Sequence, residues 1–234
     1  AGVVSGLHVV AAVLEYCGVT HYEVLVDEGA KVAAGKVLIT AQGNTQKILL
    51  AERTALNFLS HLSGISTLTS KWTAEVEGTK CQIRDTRKTT PGLRTLEKFA
   101  TRMGGATNHR VSLSEAALIK DNHIVAAGSI TAAFSATKKM FPGKSIEVEV
   151  DSIDQLKEVI DLKPDVILLD NMSVQLCQEA VAIAAGKVKL EASGGLTIEN
   201  AKAYANTGVD YLAVGSLTHS APALDIGLDF RKGK

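Results

Sequence analysis

Arg87 and Lys88 stand side by side in the run Asp85-Thr86-Arg87-Lys88-Thr89-Thr90-Pro91-Gly92, just past a short apolar stretch that reads as a strand. Further along the chain, charged residues recur as His109, Arg110, Lys120, Glu149 and Asp170. So many fixed cations in one set are suited to a polyanionic ligand. Each also has a plainer reading. Arg87 and Lys88 can be a solvated loop pair, and His109 beside Arg110 an ordinary surface pair. Lys120 can be a snorkelling lysine or the Schiff-base lysine of an aldolase-like barrel. Glu147 and Glu149 share one strand face and can serve only to neutralise interior cations.

The elements that must position these residues are readable from residue 81 onward. Short apolar strands are predicted at 81–84, 116–120, 145–150, 166–169, 188–192 and 210–214, with helical stretches between most of them. Such alternation implies parallel strands joined by right-handed crossovers. A closed eight-fold barrel needs ~250 residues, so an incomplete (open) parallel α/β barrel of six or seven strands is expected. On that frame Arg87 and Lys88, Lys120, Glu149 and Asp170, then Ser193-Gly194-Gly195 and Gly215-Ser216, all fall at carboxyl ends of strands, where such barrels build their sites.

The first third differs. Residues 7–16 have helical spacing, and 22–26 and 36–41 read as strands around turns at Gly29 and Gly35. Asn44 is placed to cap a helix with Ile48, Ala55, Leu59 and Leu62 on one face and Arg53, Asn57 and Ser60 on the other. That helix is predicted to end at Gly64, with a second from Ile65 to Val76. The expected organisation is a small N-terminal α+β sandwich domain over 1–78 and a barrel domain over 79–221. A C-terminal strand at 222–234 is expected to return to the first domain.

With 46% apolar and 21% charged residues over 234 positions, the chain suits a soluble globular protein. Its zero formal net charge argues against nucleic-acid binding by bulk phosphate neutralisation. Cys17, Cys81 and Cys177 are scattered, which suggests neither a disulfide framework nor a zinc site and fits a reducing cytoplasm. No apolar run has membrane-spanning length.

The segments 85–92, Asn108-His109-Arg110, Leu118-Ile119-Lys120-Asp121-Asn122-His123, Glu147-Val148-Glu149-Val150, Leu168-Leu169-Asp170-Asn171 and Glu191-Ala192-Ser193-Gly194-Gly195 closely resemble the quinolinate phosphoribosyltransferase family. They do so in order, with Glu52-Arg53-Thr54-Ala55-Leu56-Asn57 added from the first domain. The family carries further residues ahead of Gly2, so the small domain is expected to be N-terminally truncated.

The resemblance implies a decarboxylating transfer of phosphoribosyl from phosphoribosyl pyrophosphate to quinolinate with Mg²⁺, giving nicotinate mononucleotide for NAD biosynthesis. It implies that Arg87, Arg110 and Lys120 hold quinolinate, with His109 alongside and Arg53 acting from the other subunit of a homodimer. Lys88 and Lys120 would contact the donor, Glu149 and Asp170 its ribose and the metal, and Ser193, Gly194, Gly215 and His219 its 5-phosphate. Other readings are a related phosphoribosyltransferase-fold protein with a different substrate, or a lipoyl- or biotinyl-like carrier module over 22–43.

Overall fold

A computed structural model of the chain describes residues 1–231 of its 234. By contacts the chain forms two units, one of Ala1–Lys71, Lys88–Ala106 and the segment from Ser216 onward, the other of Trp72–Arg87 and Thr107–Gly215.

In the first unit, strand β1 (Gly2–Val3) leads into helix α1 (Leu7–Tyr16), followed by β2 (His21–Val24), β3 (Lys31–Val32) and β4 (Ile39–Gln42). The strands pair antiparallel as β1 with β3 and β2 with β4. Leu7, Val10 and Leu14 of α1 pack with Ile48, Ala51, Ala55 and Leu59, which recur at helical spacing on helix α2 (Thr45–Glu75). The Asn44 side chain caps α2 by accepting from the Gln46 and Lys47 amides at 2.9 and 3.3 Å.

The predicted break at Gly64 does not occur: α2 is one helix of 31 residues. Gly64 answers a packing need instead, because a Cβ there would collide with the Pro222 carbonyl oxygen. The same contact accounts for a second difference. Residues 222–231 form no strand, since they run beside a helix, whose backbone groups are already paired along its own axis; one bond, from Leu224 N to Ser60 O at 2.9 Å, ties them down. The remainder of the expected strand, 232–234, lies outside the described residues. Helices α3 (Arg94–Met103) and α9 (Ser216–His219) complete this unit.

The second unit carries a six-stranded parallel sheet: β5 (Gln82–Arg84), β6 (Ala117–Ile119), β7 (Ile146–Val150), β8 (Val166–Asp170), β9 (Lys189–Ser193) and β10 (Tyr211–Ala213). The spatial order is β5-β10-β9-β8-β7-β6, so the first strand pairs with the last and not with the second. One isolated bridge, Arg84 to Thr107, extends the β5 edge. This is the open arrangement expected, with six strands.

Between these strands lie α4 (Asp121–Ala127), α5 (Ile130–Met140), α6 (Ile153–Ile160), α7 (Val174–Ala184) and α8 (Ile198–Ala205). Hydroxyl caps start three of them: Ser129, Ser152 and Ser173 each accept from the amide three residues on. Asn200 caps α8 from within by accepting from Thr197 N at 2.8 Å. Among the described residues, no helix is long and apolar enough to cross a membrane.

The ladder registers sort the strand residues into two faces, because partners across a parallel ladder share a side and neighbours along a strand alternate. Ile83, Leu212, Ala192, Leu190, Leu169, Ile167, Val148 and Ile146 form one face, all buried and apolar. Arg84, Tyr211, Lys189, Glu191, Ser193, Asp170, Glu147 and Glu149 fall on the other.

Candidate active site

The charged face carries the chemistry, and its carboxyl-end rim gathers most of the residues singled out above. Arg87 follows β5, Lys120 immediately follows β6, Glu149 is the penultimate residue of β7, Asp170 ends β8, Ser193 ends β9 and Gly215 follows β10. The Lys120 ammonium forms a short ion pair with Glu149. Its backbone N–H donates to His123 Nδ1 at 3.0 Å, which fixes the strand-to-helix junction from which the side chain projects.

Asp170 Oδ2 accepts from Asn171 Nδ2 at 2.7 Å, and Asn171 N donates to Ser193 O at 2.8 Å, so the ends of β8 and β9 are tied together. Asn171 and Gly194 both adopt left-handed backbone, and a Cβ on Gly194 would run into the Asn171 side chain. Only glycine fits there without moving the rim.

Arg110 is half-buried, and its Nη1 donates to Ala116 O at 2.7 Å. Burial, helped by the nearby charge of Arg87, pulls its pKa down, against the pull of Glu147. Two guanidiniums held close enough to repel one another are a ready receptor for an anion.

Beneath the rim lies a buried layer that the strand-end pattern did not reveal. Asp85, fully buried, accepts from His109 N at 2.8 Å and from Asn108 Nδ2 at 2.6 Å. The His109 ring, 8% exposed, points Nε2 at Glu147 Oε2, 2.9 Å away, and at Glu191 Oε1, 3.5 Å away. Arg84 Nη1 meets Glu191 Oε2 at 2.6 Å while its guanidinium lies 4.2 Å over the Tyr211 ring. Burial works against the Arg84 charge, yet Glu191 outweighs it and the pKa rises. Glu191 itself is pushed up to about 7, by burial first and the Glu147 charge second. The strand alternation placed Glu147 on the face of Glu149; it could have placed Glu191 and Arg84 only once the register was known.

Arg53, Lys88 and His219 belong to the first unit. Arg53 is exposed on the polar face of α2 with Asn57, as its helical spacing predicted. The Lys88 side chain is exposed and its carbonyl accepts from Thr218 Oγ1 at 2.7 Å. Two residues on, Thr90 N donates to the buried Glu97, whose other oxygen meets His61 Nε2 at 2.9 Å, so this loop is pinned from α3 and α2. His219 is exposed beside Ser220. Two cavities, of about 400 and 500 Å³, open at the amino ends of the barrel strands and contain none of these residues.

A model of the quinolinate phosphoribosyl transferase C-terminal domain matches residues 65–229, and one of its N-terminal domain matches residues 1–63. The chain belongs to the quinolinate phosphoribosyltransferase family. It is 52% identical to the nicotinate-nucleotide pyrophosphorylase [carboxylating] of Mycobacterium leprae, over 97% of this chain and 82% of that protein. It is 40% identical to the probable enzyme of that name from Synechocystis, over 97% and 79%. The crystal structure of nicotinate-nucleotide pyrophosphorylase from Ehrlichia chaffeensis superposes with a TM-score of 0.94 at 41% identity, covering 97% of this chain and 84% of that one. The 22–43 stretch that also read as a carrier hairpin thus lies within the family's own N-terminal domain. Enzymes of this family are decarboxylating pentosyltransferases of NAD biosynthesis, the activity expected from the ordered motifs.

Proposed function

We propose that this chain transfers phosphoribosyl from phosphoribosyl pyrophosphate to quinolinate by the following division of labour on the charged face. Arg87, Arg110 and Lys120 hold the two carboxylates of quinolinate, with His109 alongside. Glu149 and Asp170 face the ribose and, with Ser193, Gly194 and Gly215, the 5-phosphate end of the donor. The observation that carries this reading is the placement of Lys120 against Glu149, one strand from Asp170.

The pyridine nitrogen attacks C1 of the ribose as the C1–O bond to pyrophosphate breaks with its electron pair. Glu149 and Asp170 stabilise the positive charge that develops on the ribose ring meanwhile. Carbon dioxide then leaves the ring carbon beside nitrogen; the electron pair left behind is stabilised by the new pyridinium charge and takes a proton. Holding two anions together is the main task, and the cations perform it by orientation and preorganised charge.

Mg²⁺ suits the site: Glu149 and Asp170 offer hard carboxylate oxygens at neighbouring strand ends, and this ion commonly keeps waters and substrate phosphates as its other ligands. It would supply charge neutralisation for the departing pyrophosphate.

Arg53, Lys88 and His219 take their roles from the family resemblance: Arg53 on quinolinate from the other subunit of a homodimer, Lys88 and His219 on the donor. A cytoplasmic setting suits the three free cysteines.

Arg110→Ala tests the division. Calorimetry should show quinolinate binding lost and donor binding kept; equal loss of both would refute it. Mixing inactive Arg53→Ala and Lys120→Ala chains should restore part of the activity, and failure despite proven subunit exchange would rule out shared sites.

A further inference from the structure

Glu147, Glu191 and His109 are all buried, and their ligand atoms lie within 4.8 Å of one another, close enough to raise the question of a metal. The protonation state of the ring answers it. The Arg110 backbone N–H donates to His109 Nδ1 at 2.8 Å, and a backbone amide can only donate, so Nδ1 must be the lone-pair nitrogen. The ring proton is therefore on Nε2, the nitrogen that faces both glutamates. A neutral imidazole in that tautomer has no lone pair left to offer a cation between the carboxylates. Arg84 already neutralises Glu191 from the other side as well.

The same geometry has a different use. Three polar atoms of His109 have internal partners: its amide donates to Asp85, Nδ1 accepts from the Arg110 amide and Nε2–H faces Glu147. Two successive amides, those of His109 and Arg110, are thus fixed from below by side chains on β7 and at the end of β5. We propose that Glu147 and Glu191 are positioning residues. They hold His109 in its Nε2–H tautomer, and through Nδ1 they fix the backbone from which the Arg110 guanidinium reaches the substrate carboxylate.

Glu147 does this directly. Glu191 is the backstop, itself locked by Arg84 stacked on Tyr211. The inference rests on the reading that Arg110 binds quinolinate.

The test pairs Glu147→Leu with Glu147→Gln in the full chain. Leucine fills the same volume but removes the acceptor for Nε2–H; glutamine keeps an acceptor without the charge. The readouts are steady-state constants for each substrate and long-range ¹H–¹⁵N NMR of ¹⁵N-histidine-labelled protein, with His109 assigned from a His109→Asn variant. Glu147→Leu should raise the quinolinate KM about tenfold with little change in the donor KM, and the His109 nitrogens should shift toward tautomer averaging. Glu147→Gln should restore both. A folded Glu147→Leu enzyme with unchanged quinolinate KM and an intact Nε2–H signal would overturn the proposal, as would glutamine proving as damaging as leucine. If Arg110→Ala leaves quinolinate binding unchanged, the substrate assignment is what fails, while the tautomer shift still reports on the positioning layer.

Discussion

The two faces of the six-stranded sheet are made by the same strands and held by opposite means. On one, Ile83, Ile167, Leu169 and Leu212 are almost wholly buried and apolar, and any side chain of similar volume and polarity would serve. On the other, Glu147, Glu191 and His109 are also buried and Arg84 is half-buried, but each needs its particular partner. Burying charge costs far more than burying methyl groups, and pairing offsets that cost only when the geometry is kept. The apolar face therefore stabilises the fold and tolerates exchange, whereas the charged face tolerates little and specifies geometry.

Ile167→Ala should expose the contrast most strongly. Removing a fully buried side chain from the apolar face should cost about 2–5 kcal/mol in urea unfolding, while the kcat/KM of the molecules that remain folded stays near wild type. A matching loss of kcat/KM would mean the faces are not separable.

Glu191→Gln addresses the charged face through pH. The folded pKa of about 7 lies above the ordinary 4.5, so the group's contribution to stability is full below pH 4.5 and is lost as the pH rises toward 7. The wild type should lose on the order of 2–3 kcal/mol across that window relative to the variant, read as Tm against pH for both. Parallel curves would show that Glu191 ionises as it would in water.

Gly194→Ala sits at the rim of the charged face. The collision with Asn171 and the left-handed backbone together should cost about 1–3 kcal/mol, and donor KM should rise more than quinolinate KM; an equal rise would detach this turn from the phosphate. The smallest effect is expected on the apolar side, at the α7 cap. Ser173→Ala should remove about 1 kcal/mol of stability by thermal melting and leave both KM values alone.

How much of this could be read beforehand follows from the range of each signal. The six barrel strands were legible to within a residue or two because apolar runs between turns are local. The rim residues Lys120, Glu149 and Asp170 were legible because strand ends are. Gly64 was misread as a helix end because its reason, the passage of Pro222, lies far along the chain. The Arg84–Glu191 part of the buried layer was out of reach for the same cause: the two residues are 107 positions apart, and nothing local in either marks the other. Two-residue strands such as β1 and β3 carry no periodicity to detect.

The neighbour of β5 in the sheet is β10, so the earliest barrel strand to leave the ribosome waits for the latest one before its edge is covered. Contacts of such long separation form late and slowly. A nascent chain stalled anywhere before Tyr211 would carry an unpaired Gln82–Arg84 edge and an Arg84 still without the Tyr211 ring it stacks on, which makes the interval before β10 emerges the one in which this sheet is most exposed to chaperones and to misassembly.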